Sequence, residues 1–285
     1  IFLALILGLG IFIISTSTQA HPYTHLTNYG TVLNSVMTII FIVVVGYDIL
    51  NGFLSLSIGS QSSPIKGLIN FGLISVLYLG NLLLVFLNQI GTISWNLNFF
   101  NPFYLFLISA ILGIWAHRRR STLVKHIIDF NSAGALLFIG LAINSVMTFA
   151  YAFATTNDPM ISVFEDTITY SFLCVGFLFV IYILINFFDP LKKGFNVYEY
   201  IFDPQSLGNQ SQVLGHYFIR LGAVGLMIYL VGKEHYLPYK HWWGAYHNYV
   251  GDVYTINGNV GLAEVNYKRA NDYARLNHKS IYTLA

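Results

Sequence analysis

Four histidines have the chemistry and spacing to hold a metal ion. His21 and His25 are four positions apart in the segment HPYTH, so they would share one face of a helix. His235 and His241 lie on that same side of the membrane in the topology inferred below, and four imidazoles could converge on copper or zinc. The sequence has neither the three His boxes of membrane desaturases nor a His-Glu-x-x-His helix. Because interfacial histidines need no metal, we predict no cofactor, with a copper or zinc site as the alternative.

Two charged residues fall inside apolar runs, where charges are expensive and are usually paired or functional. Asp48 lies toward the end of one run and Arg220 lies about two turns into another, at a similar expected depth. An ion pair that clamps two helices is one interpretation, and a path for protons or ions is another. The simplest interpretation is that Arg220 extends to the headgroups while Asp48 lies in the interface.

Other catalytic signatures are missing from the sequence. It contains no phosphate-binding glycine loop and no Gly-x-Ser-x-Gly elbow. The adjacent carboxylates Glu165 and Asp166 would point about 100° apart on a helix, so they are better placed to cap a helix N-terminus than to act as an acid–base pair. These observations favour a protein without enzymatic activity.

The composition is that of an integral membrane protein. Hydrophobic residues make up 55% of the 285 residues and charged residues only 9%, whereas about a quarter of residues are charged in soluble domains. The net charge of +2 gives no indication of a nucleic-acid surface. The single cysteine, Cys174, excludes an internal disulfide framework.

The hydropathy pattern predicts an all-α protein with about seven membrane spans, since a helix needs about 20 apolar residues to cross the bilayer. The predicted spans are Ile1–Ser15, Val32–Phe53, Ile65–Leu87, Phe99–Trp115, Ser132–Phe153, Thr167–Phe188 and Val213–Val231. The first run ends in small polar residues, as a cleaved signal peptide does. We favour a retained helix.

The basic residues predict the orientation. Lys and Arg lie in or beside the second, fourth and sixth loops between the helices, and the first, third and fifth loops contain none. Because basic residues stay on the cytoplasmic side, the even loops are predicted to face the cytoplasm and the tail after the seventh span to be extracytoplasmic. If the seventh run does not cross, the tail is cytoplasmic instead. The expected location is the plasma or inner membrane.

The tail has a pattern with a period of 34 residues, which separates Val250-Gly251 from Leu284-Ala285. Small and aromatic residues recur where two helices would pack closely, with a turn between them. The positions that define this pattern are Val250, Gly251, Tyr254, Gly258, Ala263, Tyr267 and Ala270. The pattern resembles the tetratricopeptide repeat family, although His247 stands where that family usually has Trp and Arg275 where it commonly has Pro. An ordinary amphipathic hairpin is the alternative.

Hydropathy and aromatic composition predict a helix bundle over residues 1–231 and an aromatic interfacial linker over 232–246. The resemblance implies the start of a helical repeat array over 247–285. Arrays of this family need about three units for stability, so we expect either further repeats or a second subunit against the open end. The resemblance also implies a concave surface that binds a partner protein.

Three functions remain open. The favoured one is a multi-pass membrane anchor or scaffold subunit of a larger complex, which binds partner subunits through its tail. A membrane-embedded transferase or transporter, for instance one acting on lipid-linked glycans, is the second. A metal-dependent membrane oxidase subunit that uses the four histidines is the third.

Overall fold

A computed structural model of the protein describes residues 30–59, 64–93, 100–123, 130–192, 210–233, 237–274 and 277–284. All regular structure in these ranges is helical. The helices are α1 (Gly30–Val45), α2 (Asp48–Gly59), α3 (Pro64–Gln89), α4 (Pro102–Leu123), α5 (Phe130–Ala154), α6 (Asp158–Lys192), α7 (Gln210–Lys233), α8 (Leu237–Ile256), α9 (Val260–Tyr273) and α10 (His278–Leu284).

Within these ranges, four segments are long and apolar enough to cross a membrane: Val32–Ser57, Lys66–Gln89, Gly134–Ala154 and Asp158–Asn186. Two of the predicted spans correspond to shorter apolar helices, Pro102–Trp115 and Leu221–Lys233. The predicted run at the start of the chain lies outside the described residues. The described part of the chain is therefore all-helical and has four candidate membrane spans, and the count of seven stays a prediction.

Apolar side chains on the outside of the helices agree with a lipid environment. Val76 and Ile185 are 68% and 76% exposed although both lie within candidate spans. Exposed apolar surface on this scale would be unusual around a soluble helix bundle. It is the surface that acyl chains cover in a membrane.

Aromatic rings fill the interior of the bundle. Phe41 of α1 makes edge-to-face contacts with Phe106 of α4 and Phe138 of α5, at centroid distances of 6.0 and 5.0 Å. Phe149 of α5 lies 4.9 Å from Phe164 of α6. Edge-to-face pairs add to the free energy gained by burial, and these contacts join four helices into one core.

Helix α6 lies at the centre of the fold and packs against α1, α3, α4, α5, α7 and α8. Its 35 residues span about 52 Å at about 1.5 Å per residue, whereas the hydrocarbon core is about 30 Å thick. The predicted span over residues 167–188 would fill that core. We therefore expect the first turns of α6 to project beyond the lipid.

The tail forms a helical hairpin against this projecting end. Gly244 of α8 faces Ala274, and Gly251 faces Tyr267 of α9, so the two helices run antiparallel. Helix α8 begins at Leu237, and it therefore runs through the boundary that the sequence predicted between residues 246 and 247. Trp242, which lies in the predicted linker, packs against the core of the bundle.

The tail and Lys66, one of the basic residues in or beside the even loops, lie at opposite ends of the bundle. Helices α3 and α6 are antiparallel, because Gln89 bonds to Thr169 and Leu79 lies against Gly176. Lys66, at the start of α3, therefore lies near the C-terminal end of α6, and the tail lies at the N-terminal end. This separation agrees with the distribution of charge between odd and even loops. Which end faces the cytoplasm stays a prediction.

Candidate functional site

Three buried asparagines join the tail to the bundle. Asn157 precedes α6, Asn248 lies in α8 and Asn277 precedes α10, and their exposed fractions are 5%, 0% and 0%. The Asn248 side-chain amide donates to Asn157 Oδ1 at 3.1 Å and to Asn277 Oδ1 at 2.9 Å. Asn277 Nδ2 donates back to Asn248 Oδ1 at 3.0 Å. We call these residues the asparagine triad.

Further bonds hold the triad in place. Asn157 Nδ2 donates to the backbone carbonyl of Ala245 at 3.3 Å, and the Ser280 backbone N–H donates to Asn277 Oδ1 at the same distance. The carboxylate of Asp158, the first residue of α6, accepts a bond from the backbone N–H of His278 at 3.1 Å. Buried amides that are satisfied in this way fix one geometry, because any shift leaves polar atoms without partners.

A second contact between tail and bundle lies about two turns of helix from Asn248 on α8. His241 Nδ1 lies 2.7 Å from Asp166 Oδ2, and Asp166 is 2% exposed. Sequence analysis assigned Asp166 to helix capping and His241 to a possible metal site. In the structure Asp166 lies in the third turn of α6, where its carboxylate holds the α8 imidazole.

Removal of one member of this pair should destabilise the protein more than removal of both. We expect His241→Leu to lower the free energy of unfolding by about 2 kcal/mol, because it leaves a buried carboxylate without its partner. The double variant Asp166→Leu/His241→Leu should recover most of that loss. Thermal unfolding followed by tryptophan fluorescence measures both. A double variant less stable than His241→Leu would contradict the pairing.

Most of the residues predicted to define a repeat lie between α8 and α9. Val250, Gly251, Ala263, Tyr267 and Ala270 are buried there. Tyr254 is half-buried, and Gly258 occupies the turn with a φ of 73°, a conformation that glycine adopts without strain. These positions form the interior of the hairpin. That the hairpin is one unit of a repeat array stays a prediction.

Tyr267 is fixed in this interior. Its hydroxyl donates to Asp252 Oδ1 at 2.8 Å and lies 3.3 Å from Thr255 Oγ1. Burial raises the pKa of Tyr267 to about 12, so the hydroxyl remains protonated over the physiological range. Asp252 also pairs with Lys279 of α10. One carboxylate therefore links all three helices of the tail.

The structure does not bring the predicted metal ligands together. His21, His25 and His235 lie outside the described residues, and His241 already contacts Asp166. Among the residues that can be placed, no group of three His, Cys, Asp or Glu side chains could hold an ion. The metal site is therefore untested.

The predicted ion pair between Asp48 and Arg220 is also untested. Asp48 is 7% exposed at the start of α2, and its carboxylate lies against Gly113 of α4, where an added Cβ would come within 2.9 Å of Oδ2. Arg220 lies in α7, but the position of its side chain is outside the described part. Helix α7 packs mainly against α6.

A cavity of about 260 Å³ lies beneath the tail. Helix α1 contributes Asn34 and Ser35 to its wall, and α5 contributes Asn144, Thr148 and Tyr151, together with Met147. Asn157, Met160 and Tyr249 close the end nearest the tail. The cavity therefore touches both the bundle and α8.

Local sequence patterns do not indicate the asparagine triad. Asn157 and Asn248 are 91 positions apart, and Asn248 and Asn277 are 29 apart, so no local spacing connects them. Each lies in a segment that is otherwise typical of a turn or a helix. Only the packing of α8 on α6 brings their side chains together.

No protein-family model matches this chain, and neither a characterised protein nor a solved structure is significantly similar to it.

Proposed function

We propose that this protein is a multi-pass membrane anchor that holds a tetratricopeptide-like tail rigidly at one end of its bundle and presents the tail to a partner protein. The observation that supports this proposal most is the asparagine triad. A tail that served only as a tether would need no buried contacts with the bundle. Here the contacts fix both the position and the orientation of α8, and thereby of α9.

The outer face of α9 is the surface we assign to the partner. Leu262 and Val265 are 43% and 45% exposed, and they lie three positions apart on α9, off the face formed by the buried Ala263, Tyr267 and Ala270. Ile281 and Tyr282 of α10 are 47% and 78% exposed. In the family that the tail resembles, the next pair of helices or a bound protein covers apolar side chains of this kind.

Co-purification from native membranes tests this proposal. We expect a stoichiometric partner protein to accompany the intact chain, and Leu262→Glu/Val265→Glu to reduce its yield at least tenfold, because two charges would enter an apolar contact. Both positions are exposed, so the melting temperature should not change. Blue-native gel electrophoresis with quantitative mass spectrometry measures the yield.

The matched control is Ile256→Glu, which places the same charge on an 84% exposed apolar residue at the C-terminal end of α8, outside the outer face of α9. It should leave the complex intact. The proposal fails if no stoichiometric partner is found. It also fails if the partner persists after Leu262→Glu/Val265→Glu, since the outer face of α9 would then be irrelevant.

The cavity favours a second candidate, a membrane-embedded transferase or transporter. Asn144, a polar residue within the candidate span Gly134–Ala154, lies in its wall. It is ten residues from the end of its span, which corresponds to a depth of about 15 Å along the helix axis. A polar space at that depth would be a suitable place for a substrate headgroup.

A further inference from the structure

We propose that the cavity between α1, α5 and α8 is a binding site for an uncharged polyhydroxylated group such as a sugar, supplied either by a lipid headgroup or by a free polyol. This proposal does not depend on the anchor function, since it concerns the interior of the bundle and not the outer face of α9. No partner protein is needed to test it.

The size and the lining of the cavity show that it is not a packing defect. A volume of about 260 Å³ corresponds to roughly nine water molecules at about 30 Å³ each. Entirely apolar cavities stay dry, whereas the wall of this one, although mostly apolar, carries amide and hydroxyl groups at several points. It is therefore a space for a polar occupant.

Several polar groups in the wall are free to bind that occupant. Within the described part of the chain, the hydroxyls of Tyr151 and Tyr249 and Oδ1 of Asn144 have no hydrogen-bond partner, although Asn144 Nδ2 makes long bonds of 3.4 Å to α1. Asn157, in contrast, uses both ends of its side chain in the asparagine triad. Ligand sites typically combine an apolar wall with a few polar groups of this kind.

The absence of charge in the described lining determines the ligand class. No Lys, Arg, Asp or Glu is among the residues of the wall, so a phosphate or carboxylate would be desolvated without a counter-charge. The nearby carboxylate of Asp252 interacts electrostatically with Tyr151 and would repel an anion further. Asp252 is itself paired with Lys279, so it does not favour a cation either. Neutral hydroxyl groups can both donate to and accept from the free tyrosine and asparagine atoms.

The wall also provides a route from the lipid. Met147 is 67% exposed and Tyr151 is 44% exposed on the outer side of α5. An acyl chain could lie along this surface while its headgroup entered the cavity. Tyr249, only 8% exposed, would lie over the headgroup from the tail side.

Binding of defined lipids to the full chain tests the proposal. The protein is reconstituted in phosphatidylcholine vesicles that contain either glucosyl-diacylglycerol or phosphatidic acid, and bound lipid is counted by native mass spectrometry. Free glucose is tested separately by isothermal titration calorimetry. We expect one glucosyl-diacylglycerol per chain, bound at least tenfold more tightly than phosphatidic acid. Glucose binding would identify a free polyol as a ligand, and lipid binding alone would identify a headgroup.

Tyr151→Phe/Tyr249→Phe removes two hydroxyls without altering the shape of the wall. Because each neutral hydrogen bond contributes about 0.5–1.5 kcal/mol, this variant should weaken binding roughly fivefold to a hundredfold. The matched control Tyr282→Phe, on the exposed α10, should bind as the unmodified protein does. The proposal is overturned if neither glucose nor its lipid binds, if phosphatidic acid binds equally well, or if the double variant binds with unchanged affinity.

Discussion

Asn248→Leu is expected to release the tail from the bundle. Leucine keeps the branching of the asparagine side chain at Cγ, so the shape at this position is approximately kept while three hydrogen bonds of the triad are lost. Asn157 Oδ1 and Asn277 Nδ2 would remain buried without partners. Each such group costs about 1–3 kcal/mol, which gives a total of about 4 kcal/mol for the docked state. Whole domains are stabilised by only about 5–15 kcal/mol.

Hydrogen–deuterium exchange can measure this release residue by residue. We expect amides of α8 that face α6, together with those of the first turns of α6, to exchange at least a hundredfold faster in Asn248→Leu. The transmembrane part of α3 should be unaffected, because its contacts with α6 lie between Thr169 and Gly176. This pattern of exchange would show that Asn248→Leu releases the tail from α6 without unfolding the bundle.

Two variants make this prediction specific. Asn257→Leu places the same substitution in the exposed turn between α8 and α9, and it should leave exchange at the α6–α8 contact unaltered. The triple change of Asn157, Asn248 and Asn277 to leucine removes every unpaired amide of the triad, so it should restore part of the protection. If Asn248→Leu exchanges like the unmodified protein, the triad does not determine docking.

The sequence predicted the parts of the fold that depend on local pattern. Apolar runs of sufficient length indicated the helices of the bundle, and small residues at positions such as Gly251 and Ala270 indicated a hairpin, because both signals lie within one helix or one turn. Such local signals did not reveal that a single helix runs from Leu237 through residue 247 to Ile256, across the predicted end of the linker. Aromatic residues before it are typical of a membrane interface, yet Trp242 belongs to α8 and packs on the core.

The sites depend on contacts between distant segments, and here the sequence was less informative. Asp166 and His241 are 75 positions apart, and a histidine in an aromatic segment can be an interfacial residue, a ligand or a buried partner. Asn144 is a polar residue within a candidate span, and nothing in the local sequence relates it to the tail. That it shares a cavity with Tyr249 follows only from the position of α8 over the end of α5.

Gly251→Leu is expected to open the hairpin. A Cβ at this position would come within 2.7 Å of Tyr267 Cε1, a separation that real Cβ contacts do not show. The ring cannot turn aside freely, because it is 5% exposed and its hydroxyl bonds to Asp252. Overpacking typically costs about 1–3 kcal/mol and occasionally more, and a branched side chain at this close contact should lie at the upper end, about 3 kcal/mol or above. Chemical unfolding followed by tryptophan fluorescence measures the loss.

A second glycine of the tail provides the control for this effect. Gly261 lies on the exposed side of α9, and nothing lies within 4 Å of the position its Cβ would take. Gly261→Ala should therefore stabilise the tail by up to about 1 kcal/mol through helix propensity, whereas Gly251→Ala should destabilise it despite the same gain. Opposite signs for one substitution at two helical glycines would show that the contact with Tyr267 decides the result.

A double variant tests the same contact from the side of α9. Tyr267→Ala should relieve part of the loss caused by Gly251→Leu, since the two side chains would compete for one space. Strictly additive effects would mean that α8 and α9 do not pack through this pair.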